Sequence, residues 1–582
     1  MQNLLSLKKY FLRYKSKLLL GIIFILVSNV LNAYLPLLLK DSINELQKKT
    51  TGTVLLRYGL LIVGISIVAG IFRYLIRQTI IVVSREIEFD LRGDFWNHIQ
   101  KLPLRYFQNN STGNIMSLAT NDINSVRSFI GPAVMYSVDT IVTLVFVVTI
   151  LFSMNFELTV YALLPLPFIS IGVFAIGKLV HAKYIKIQEN FSRMTTQAQE
   201  NFSGIRAIKS YVREQSEINK WDIISKEYFA RKMNLVRVQA MIFPLLYFIA
   251  GISGLVVILF GGGKVIKGEM NLGDIAAFIA YLSMLIWPVI AFGWVMNIIQ
   301  QGEASMKRLN NIFNEPFEIE DTSVTDNSIK KLNGEIEFKN VTFKYSENLP
   351  EVIKEVNLKI PVGSTLAIVG HTGSGKTSFI NLIPRLYDVT NGEVTIDGRN
   401  IKEIPLDVLR TNISVVQQES FLFSDTVYGN ISYGLREIDN ERVKEVSRIA
   451  DFHRDVEAFP KGYETMVGER GITFSGGQKQ RASLARALAT DPKILILDDS
   501  FSAVDTHTEE EILLNLKEFM KDRTSIIISH RISTVKDADN ILVLENGRIA
   551  EQGTHNDLVK LNGIYAELHY KQLLERELEE LN

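Results

Sequence analysis

Residues 365–377 read TLAIVGHTGSGKT, and this stretch decides the fold of the second half of the chain. The run TLAIV predicts a buried strand, and SFINLIPRLY (378–387) predicts a helix directly after the glycine-rich loop. The backbone N–H groups of such a loop can cradle phosphate oxygens. Lys376 can reach the β- and γ-phosphates, and the Thr377 hydroxyl can bind magnesium. The candidate nucleotide-binding residues of this loop are Gly370, His371, Thr372, Gly373, Ser374, Gly375, Lys376, Thr377 and Ser378.

The run KILILDD (493–499) ends in two adjacent carboxylates, Asp498 and Asp499. Asp498 stands where a second magnesium contact is expected, at the end of an apolar strand. Together the two motifs indicate a P-loop nucleotide-binding domain. Short β-rich runs alternate with helical stretches in this half of the chain. We therefore predict an α/β nucleotide-binding domain over 334–582 with a C-terminal helix, preceded by a polar linker at 316–333.

The first half of the chain has the composition of a membrane protein. Hydrophobic residues make up 47% of the whole sequence, and the mean hydropathy is +0.13. Several apolar runs are long enough to cross about 30 Å of hydrocarbon as helices. We predict a helical membrane domain over 1–315 with six spans, near 17–39, 54–76, 130–152, 156–180, 240–262 and 275–299.

Basic residues predict the orientation of these spans. The ones that precede the first span are Lys8, Lys9, Arg13, Lys15 and Lys17. Under the positive-inside rule they hold the N-terminus in the cytoplasm, and six spans return the C-terminus to the same side. The inside segments 84–128 and 182–238 are rich in helix formers, so we expect the spans to continue as helices below the membrane. The spans predict a multi-pass membrane protein, and the Lys/Ile/Asn-rich usage fits a bacterial cell membrane.

Composition also excludes several classes of chemistry. The chain has no cysteine, which rules out disulfides, cysteine-ligated zinc, iron–sulfur clusters and thiol catalysis. The formal net charge is zero, so no overall field attracts nucleic acid. We predict the lipid bilayer as a partner and no nucleic-acid partner.

The stretch FSGGQKQRASLARALA (474–489) narrows the class of nucleotidase. Ser475, Gly476 and Gly477 open a helix and can present a hydroxyl and bare amides to a phosphate. This start lies about 20 residues before the ILILDD strand. With these motifs in this order, the chain resembles a multidrug-type bacterial ATP-binding-cassette (ABC) exporter half-transporter over essentially its whole length. The fold class that the resemblance implies is a six-span helical membrane domain fused to an α/β nucleotide-binding domain.

The resemblance implies roles for further residues and predicts ATP and Mg²⁺ as cofactors. Tyr345 matches the aromatic that stacks on adenine, and His530 matches the switch histidine at the γ-phosphate. Gln418 matches the glutamine that contacts magnesium and the attacking water, and Asp505 matches the acid that faces the opposite subunit. VGERG (467–471) resembles the exporter loop before the signature. The signature residues implied as nucleotide contacts are Phe474, Ser475, Gly476, Gly477 and Gln478. The implied metal ligands are Thr377, Gln418 and Asp498, and the implied catalytic residues are Asp499, His530 and Gln418.

Two segments of the membrane half resemble the coupling loops of this family. They are RYFQNNSTGNIMSLATNDINSVR (105–127) and ENFSGIRAIKSYVRE (200–214). Each is expected to carry a short helix that docks on a nucleotide-binding domain, the second one on the opposite subunit. Motion then passes between the domains through rigid helices.

Asp499 departs from the family pattern, in which a glutamate polarises the hydrolytic water. Aspartate is one methylene shorter, about 1.3–1.5 Å. A general base must lie within roughly 2.6–3.2 Å of its water and contributes about 10²–10⁴-fold. The sequence therefore predicts slow hydrolysis at this chain's own site.

The family builds two composite sites at a head-to-tail dimer interface, each from one chain's Walker motifs and the other chain's signature. The sequence favours a heterodimer in which the FSGGQ signature completes the site of a partner that carries the glutamate. A homodimer that uses Asp499 as a slow base is the alternative. A membrane regulator or channel gated by ATP binding is a third hypothesis from another class.

The predicted substrate is a small amphipathic or lipophilic compound, such as a drug or a lipid. Asp139 lies within an apolar run and should face the bundle interior or a water-filled cavity. Either a hydrogen bond to another span or a cation-binding role fits this position. Aromatic residues on the third, fifth and sixth spans permit stacking and cation–π contacts. They are Tyr136, Phe243, Tyr247, Phe278, Tyr281, Trp287, Phe292 and Trp294.

Overall fold

The computed structural model describes residues 2–48, 51–437, 439–468, 471 and 473–580. The chain forms two compact units. The first comprises residues 1–98 and 113–314, and the second comprises 99–112 and 315–582. The short segment 99–112 thus leaves the first unit and packs with the second.

The first unit is helical throughout its described residues. Long apolar runs form single helices of tens of residues, although Pro36 and Pro288 lie inside two of them. With α5, which belongs to the second unit, the helices in chain order are α1 (Lys8–Arg13), α2 (Lys15–Gln47), α3 (Gly52–Ile76), α4 (Val82–Ile99), α5 (Leu104–Asn109), α6 (Thr112–Ser117), α7 (Ile123–Ser128), α8 (Val134–Met154), α9 (Phe156–Leu163), α10 (Leu166–Ser203), α11 (Ile205–Ser210), α12 (Glu214–Gln239), α13 (Ile242–Val256), α14 (Gly262–Ile266) and α15 (Leu272–Phe313). Wider π-helical turns join several of them without a break, at Arg77–Ile81, Leu118–Asp122, Phe129–Ala133 and Val257–Gly261.

Five helices in the described part of the chain are long and apolar enough to cross a membrane. They are Lys15–Gln47, Gly52–Ile99, Thr112–Met154, Glu214–Ile266 and Leu272–Phe313. The prediction of six spans is therefore not confirmed. The fourth predicted span, 156–180, is helical but is divided between α9 and α10 at Leu164 and Pro165. The helices of 48, 43 and 53 residues far exceed one hydrocarbon width, in agreement with spans that continue outside the bilayer.

The two predicted coupling segments each contain a short helix. Helix α5 lies in the first, and Arg105 within it pairs with Glu318. Lys101 Nζ lies 6.0 Å from the ring centroid of Phe317, so this segment is held within the second unit. Helix α11 forms the turn between α10 and α12, and the Tyr211 and Val212 side chains beside it are 79% and 81% exposed.

The second unit contains two sheets. The strands are β1 (Ile336–Phe343), β2 (Ile353–Ile360), β3 (Thr365–Val369), β4 (Asn391–Ile396), β5 (Arg399–Asn400), β6 (Ile413–Val416), β7 (Ile494–Asp498), β8 (Thr524–Ile528), β9 (Asn540–Glu545) and β10 (Arg548–Gly553). A six-stranded sheet has the order β10-β9-β3-β8-β7-β6, and only β10 pairs antiparallel in it. A four-stranded antiparallel sheet has the order β2-β1-β4-β5.

Helices surround the six-stranded sheet. They are α16 (Lys376–Leu382), α17 (Leu406–Thr411), α18 (Val427–Ile431), α19 (Asn440–Ile449), α20 (His453–Ala458), α21 (Gly476–Ala489), α22 (Thr506–Met520), α23 (Ile532–Val535), α24 (His555–Leu561) and α25 (Ile564–Glu580). Alternate residues of β3 enter two different cores: Ala367 and Val369 pack in one, Leu366 and Ile368 in the other. Burial on both faces explains why β7 reads as an unbroken apolar run.

Candidate nucleotide-binding site

Four neighbouring parallel strands deliver the predicted catalytic elements to one edge of the large sheet. The glycine-rich loop follows β3, His530 follows β8, Asp498 and Asp499 stand at the end of β7, and Gln418 follows β6. In parallel sheets the carboxyl ends of adjacent strands meet at the same edge, which is where such folds bind ligands. Motifs separated by more than 100 residues in sequence therefore come together through strand order alone.

The loop of residues 370–375 requires glycine at particular positions. Gly370 has φ 148°, and a Cβ there would come within 2.3 Å of the Leu544 carbonyl oxygen. Gly375 has φ 103° and precedes the first residue of α16, and a Cβ there would lie 3.0 Å from the Val352 carbonyl oxygen. Both the left-handed backbone and the close approach of other chain segments exclude a side chain. The loop is consequently a tight turn whose amides precede a helix N-terminus.

Lys376 is folded back onto the loop that it serves. Its Nζ donates hydrogen bonds to the Gly370 and His371 carbonyl oxygens at 2.9 and 3.0 Å. Only 8% of the residue is exposed, and burial lowers the pKa of its ammonium while Asp498 and Asp499 act in the opposite direction. Ser374 Oγ is buried in the same loop and has no hydrogen-bond partner among the described residues. A buried cation and an unpaired hydroxyl fit an anionic ligand such as phosphate.

Asp498 and Thr377 form the part of the site that suits a metal ion. The Thr377 hydroxyl donates to Asp498 Oδ2 at 3.0 Å. Burial raises the pKa of Asp498, and the neighbouring Asp499 adds to this, so a nearby cation would stabilise the carboxylate. In the described part of the chain, no three His, Cys, Asp or Glu residues cluster as a metal site. The donor set therefore fits Mg²⁺ shared with phosphate oxygens, the usual arrangement for this ion.

Asp499 contacts Gln418 through a single long hydrogen bond. Gln418 Nε2 donates to Asp499 Oδ2 at 3.4 Å. The Asp499 backbone has φ 45°, and its N–H donates to the Ile528 carbonyl oxygen at 2.9 Å. The side chains of Gln418 and His530 are exposed. Thus the structure brings the three candidate catalytic residues to one edge, but only Gln418 and Asp499 are joined to each other.

Tyr345 lies beside the loop as the sequence predicts. Its hydroxyl is 2.7 Å from Ser378 Oγ, and its ring centroid is 5.2 Å from that of Tyr387. Tyr345 is half-buried next to α16, whereas Tyr387 is buried.

The signature residues form the start of α21. Ser475 caps this helix: Gln478 N–H donates to Ser475 Oγ at 3.2 Å, and Ser475 N–H donates to Gln478 Oε1 at 3.1 Å. Phe474 is buried and stacks on Phe459 with centroids 5.2 Å apart. In the described part of the chain these residues make no hydrogen bond or ion pair to the loop of 370–378. Glu469 and Arg470 of the preceding exporter-like loop lie outside the described residues.

Asp505 ends the loop that connects β7 to α22. Its carboxylate caps α22 by accepting a hydrogen bond from Thr508 N–H at 3.0 Å. This hydrogen bond lowers the pKa of Asp505, whose side chain is exposed. We refer to residues 499–505 as the D-loop.

Sequence reasoning missed the residues that hold the D-loop and the His530 loop. Gln480, on the signature helix, donates from Nε2 to Ser502 Oγ at 3.0 Å and accepts from Ala503 N–H at 2.9 Å. Its 5% exposure and its position in GGQKQR are the signals that could have identified it. The amide therefore fixes the D-loop to the signature helix of the same chain.

Two further residues hold the loop that carries His530. The buried carboxylate of Glu509 accepts from Thr534 Oγ1 at 2.6 Å and also pairs with Arg531. Gln572 of the C-terminal helix accepts from Ile532 N–H at 2.8 Å and donates to the His530 carbonyl oxygen. Gln572 lies 42 residues beyond His530, and no local pattern marks it.

Comparisons with known proteins agree with this architecture. Residues 18–289 match the family model described as ABC transporter transmembrane region, and residues 353–502 match the model described as ABC transporter. The probable multidrug resistance ABC transporter ATP-binding/permease protein YheI of Bacillus subtilis (strain 168) is 34% identical over 572 residues, which cover 97% of this chain and 96% of that protein.

Two further similarities extend over nearly the whole chain. The ATP-dependent lipid A-core flippase of Syntrophus aciditrophicus (strain SB) is 34% identical over 550 residues, covering 94% of this chain and 91% of that protein. The structure of a bacterial Atm1-family ABC exporter with ATP bound superposes with a TM-score of 0.79 at 26% identity, covering 96% of this chain and 98% of that one.

Proposed function

Because the chain belongs to the ABC transporter family, as an ATP-driven exporter of the cell membrane, we propose that it is the half of a heterodimer with the slower ATP site. In this proposal its FSGGQ signature completes the hydrolytic site of a partner chain that carries a glutamate after its Walker B aspartate. Its own loop of 370–378 holds ATP with little turnover. The transported compound is amphipathic, a drug or a lipid, the two classes that the names of its relatives suggest.

The observation that carries the proposal is the position of Asp499. Its short carboxylate extends from the end of β7, and within the described ranges of the chain only the 3.4 Å contact with Gln418 orients it. A general base contributes its full effect only when it lies within hydrogen-bonding distance of the attacking water. The signature helix, by contrast, has a complete capping box at Ser475 and Gln478. The signature side of the chain is therefore complete, whereas its own catalytic side has a weak base.

The remaining site residues have the following roles in this proposal. The ammonium of Lys376 leaves the Gly370 and His371 carbonyl oxygens and binds phosphate, and the unpaired Ser374 hydroxyl adds a donor. Thr377, Asp498 and Gln418 hold Mg²⁺, which neutralises phosphate charge. Tyr345 stacks on the adenine, and His530 contacts the γ-phosphate.

The signature side acts on the opposite subunit. The amides of Gly476 and Gly477 bind the partner's nucleotide at the start of α21, with Phe474, Ser475 and Gln478 shaping this start. Asp505 faces the partner across the interface. The exposed Tyr211 and Val212 beside α11 supply apolar surface for docking on the opposite nucleotide-binding domain.

The test of the heterodimer is the ATPase rate of the purified chain alone, measured by phosphate release in lipid nanodiscs. We expect slow turnover that Asp499→Asn changes by less than about twofold, since a poorly placed base contributes little. Co-purification with a half-transporter that carries the glutamate should restore brisk turnover. Brisk turnover of the chain alone that Asp499→Asn abolishes would instead identify a homodimer with Asp499 as the base.

Export itself is tested in inside-out vesicles. ATP-dependent accumulation of an amphipathic dye against its concentration gradient is the expected result for the pump. Flux that follows the gradient and needs only ATP binding would show an ATP-gated channel and contradict the proposal.

A further inference from the structure

Two adjoining cavities open between helices α2, α3, α8 and α15 of the membrane unit. Their volumes are about 490 and 460 Å³, within the range of small-molecule sites. Arg73, Asp139 and Trp287 line both cavities, and Arg77 lines the second. We call these two spaces together the Arg73 cavity. They bring charged side chains of two spans to one place.

Asp139 accepts a hydrogen bond from a neighbouring span. Asn29 Nδ2 donates to Asp139 Oδ1 at 2.8 Å, and the Thr143 hydroxyl donates to Asn29 Oδ1 at 2.6 Å. Of the two roles that the sequence left open for Asp139, the hydrogen bond to another span is therefore present.

Arg73 and Arg77 have no such compensation. Both side chains are exposed, and no carboxylate in the described part of the chain lies within 4.0 Å of either guanidinium. Residues four apart lie on the same face of a helix, so the two charges act together. Two guanidinium groups and one carboxylate leave one net positive charge at the cavity wall. Ionisable groups within membrane spans are costly and mark binding sites or transport pathways.

The other walls of the cavity are apolar and aromatic. Leu35, Leu39 and Met284 line it together with Trp287, and Tyr136 packs edge-on against Trp294 with centroids 5.2 Å apart. The π-helical turn Arg77–Ile81 begins at one of the two arginines, and such turns are frequent at functional sites. The site thus combines a cationic end with an apolar body.

From this arrangement we propose that the Arg73 cavity binds amphipathic compounds with an anionic phosphate or carboxylate head, the head on Arg73 and Arg77 and the apolar part against Trp287. Guanidinium groups bind such heads with two parallel hydrogen bonds. A lipophilic cation at Asp139 would instead meet two unpaired positive charges. This inference rests on the proposed export function and specifies its substrate class.

The test measures equilibrium binding of radiolabelled dodecyl phosphate to the whole chain in phosphatidylcholine nanodiscs without ATP. We expect Arg73→Gln and Arg77→Gln each to weaken binding at least about tenfold, the usual loss for a charge-assisted hydrogen bond. Arg73→Lys keeps the charge but not the paired hydrogen bonds, so it should weaken binding less than Arg73→Gln does. Arg57→Gln, on the same helix but away from both cavities, should change it by less than about twofold.

Asp139→Asn gives a second test that does not depend on removing the arginines. Loss of its negative charge should tighten dodecyl phosphate binding, whereas a cation site would lose its ligand. Tighter binding of dodecyltrimethylammonium than of dodecyl phosphate, or equal affinity in the wild type and the Arg73→Gln/Arg77→Gln double variant, would overturn the inference.

The source of the anionic head is distinguished by competition. Displacement of the probe in phosphatidylglycerol nanodiscs identifies a membrane lipid, and retention there identifies a dissolved amphipath; both outcomes support an anion site. The binding assay contains no ATP. Binding of the probe by a chain that does not pump would therefore contradict the export proposal but not this inference. A chain that pumps an amphipathic dye but does not bind the probe would contradict this inference but not the export proposal.

Discussion

The nucleotide-binding edge and the signature helix of this chain are held in different ways. At the edge, Gln418 and His530 are exposed, and among the described residues the Asp499 carboxylate accepts one hydrogen bond, of 3.4 Å. At the signature, two side-chain amides, Gln478 and Gln480, make short hydrogen bonds that cap the helix and fix the D-loop to it. Gln418 and Asp499 are thus weakly held, whereas the signature side chains are hydrogen-bonded within the chain. This difference is consistent with the proposal that the chain completes the site of another subunit.

The largest effect is expected when the side chain of Asp499 is lengthened by one methylene. In the chain purified alone, Asp499→Glu should raise the ATPase rate about a hundredfold or more, because a correctly placed base contributes 10²–10⁴-fold. Steady-state phosphate release measures the rate, and Asp499→Asn is the control with little change. An Asp499→Glu chain as slow as the wild type would show that the length of the carboxylate is not the limiting factor.

The next largest effect tests the signature within that faster Asp499→Glu chain. A Cβ at Gly477 would lie 3.1 Å from the Ala503 carbonyl oxygen, so a valine there should push the D-loop away. We expect Gly477→Val to remove most of the hundredfold gain, and the smaller Gly477→Ala to remove less of it. Equilibrium binding of ATP should stay within about threefold, because the loop of 370–378 is untouched. Full activity of the valine variant would contradict a role for this glycine pair.

A smaller loss is expected from the amide that joins the signature helix to the D-loop. Gln480→Leu leaves the Ala503 N–H without its partner, at a cost of about 1–3 kcal/mol. In the Asp499→Glu chain this should lower the ATPase rate roughly tenfold and speed hydrogen exchange at the Ala503 amide. Exchange that stays as slow as before would show that other contacts hold the D-loop.

The smallest effect on the ATPase rate is expected from Gln572, which holds the His530 loop at the nucleotide-binding edge. Gln572→Leu removes two hydrogen bonds to the backbone on either side of Arg531 and frees the His530 loop. At about 1 kcal/mol of net loss, kcat of the Asp499→Glu chain should fall roughly fivefold while KM for ATP stays unchanged. Lys571→Ala, at the exposed neighbouring position, is the matched control and should leave kcat within about 1.5-fold. An equal fall in both variants would indicate a general effect of the C-terminal helix.

Sequence patterns predicted much of the fold because they are local and periodic. The strand–loop–helix around Gly370 is present from Thr365 to Leu382, and a helix starts at the signature glycines. The fourth span was the exception. Its apolar run of 156–180 is divided at Leu164 and Pro165, since proline cannot donate the hydrogen bond that continues a helix. The sequence also named aromatic residues that could contact a substrate, but two of them are not accessible. Phe278 and Tyr281 are fully buried, and the Tyr281 hydroxyl donates to the Ala33 carbonyl oxygen at 2.6 Å.

By itself the sequence predicted which residues would contact phosphate, that membrane helices precede an α/β domain, and that Asp499 stands one methylene short of the family's glutamate. These properties reside in residue type and spacing. Only the tertiary structure decided that Gln480 holds the D-loop, that Gln572 holds the His530 loop, and that Arg73 shares a cavity with Asp139. Such pairs are tens of residues apart, and a hydrogen bond or a shared cavity depends on distances in space that no local pattern encodes.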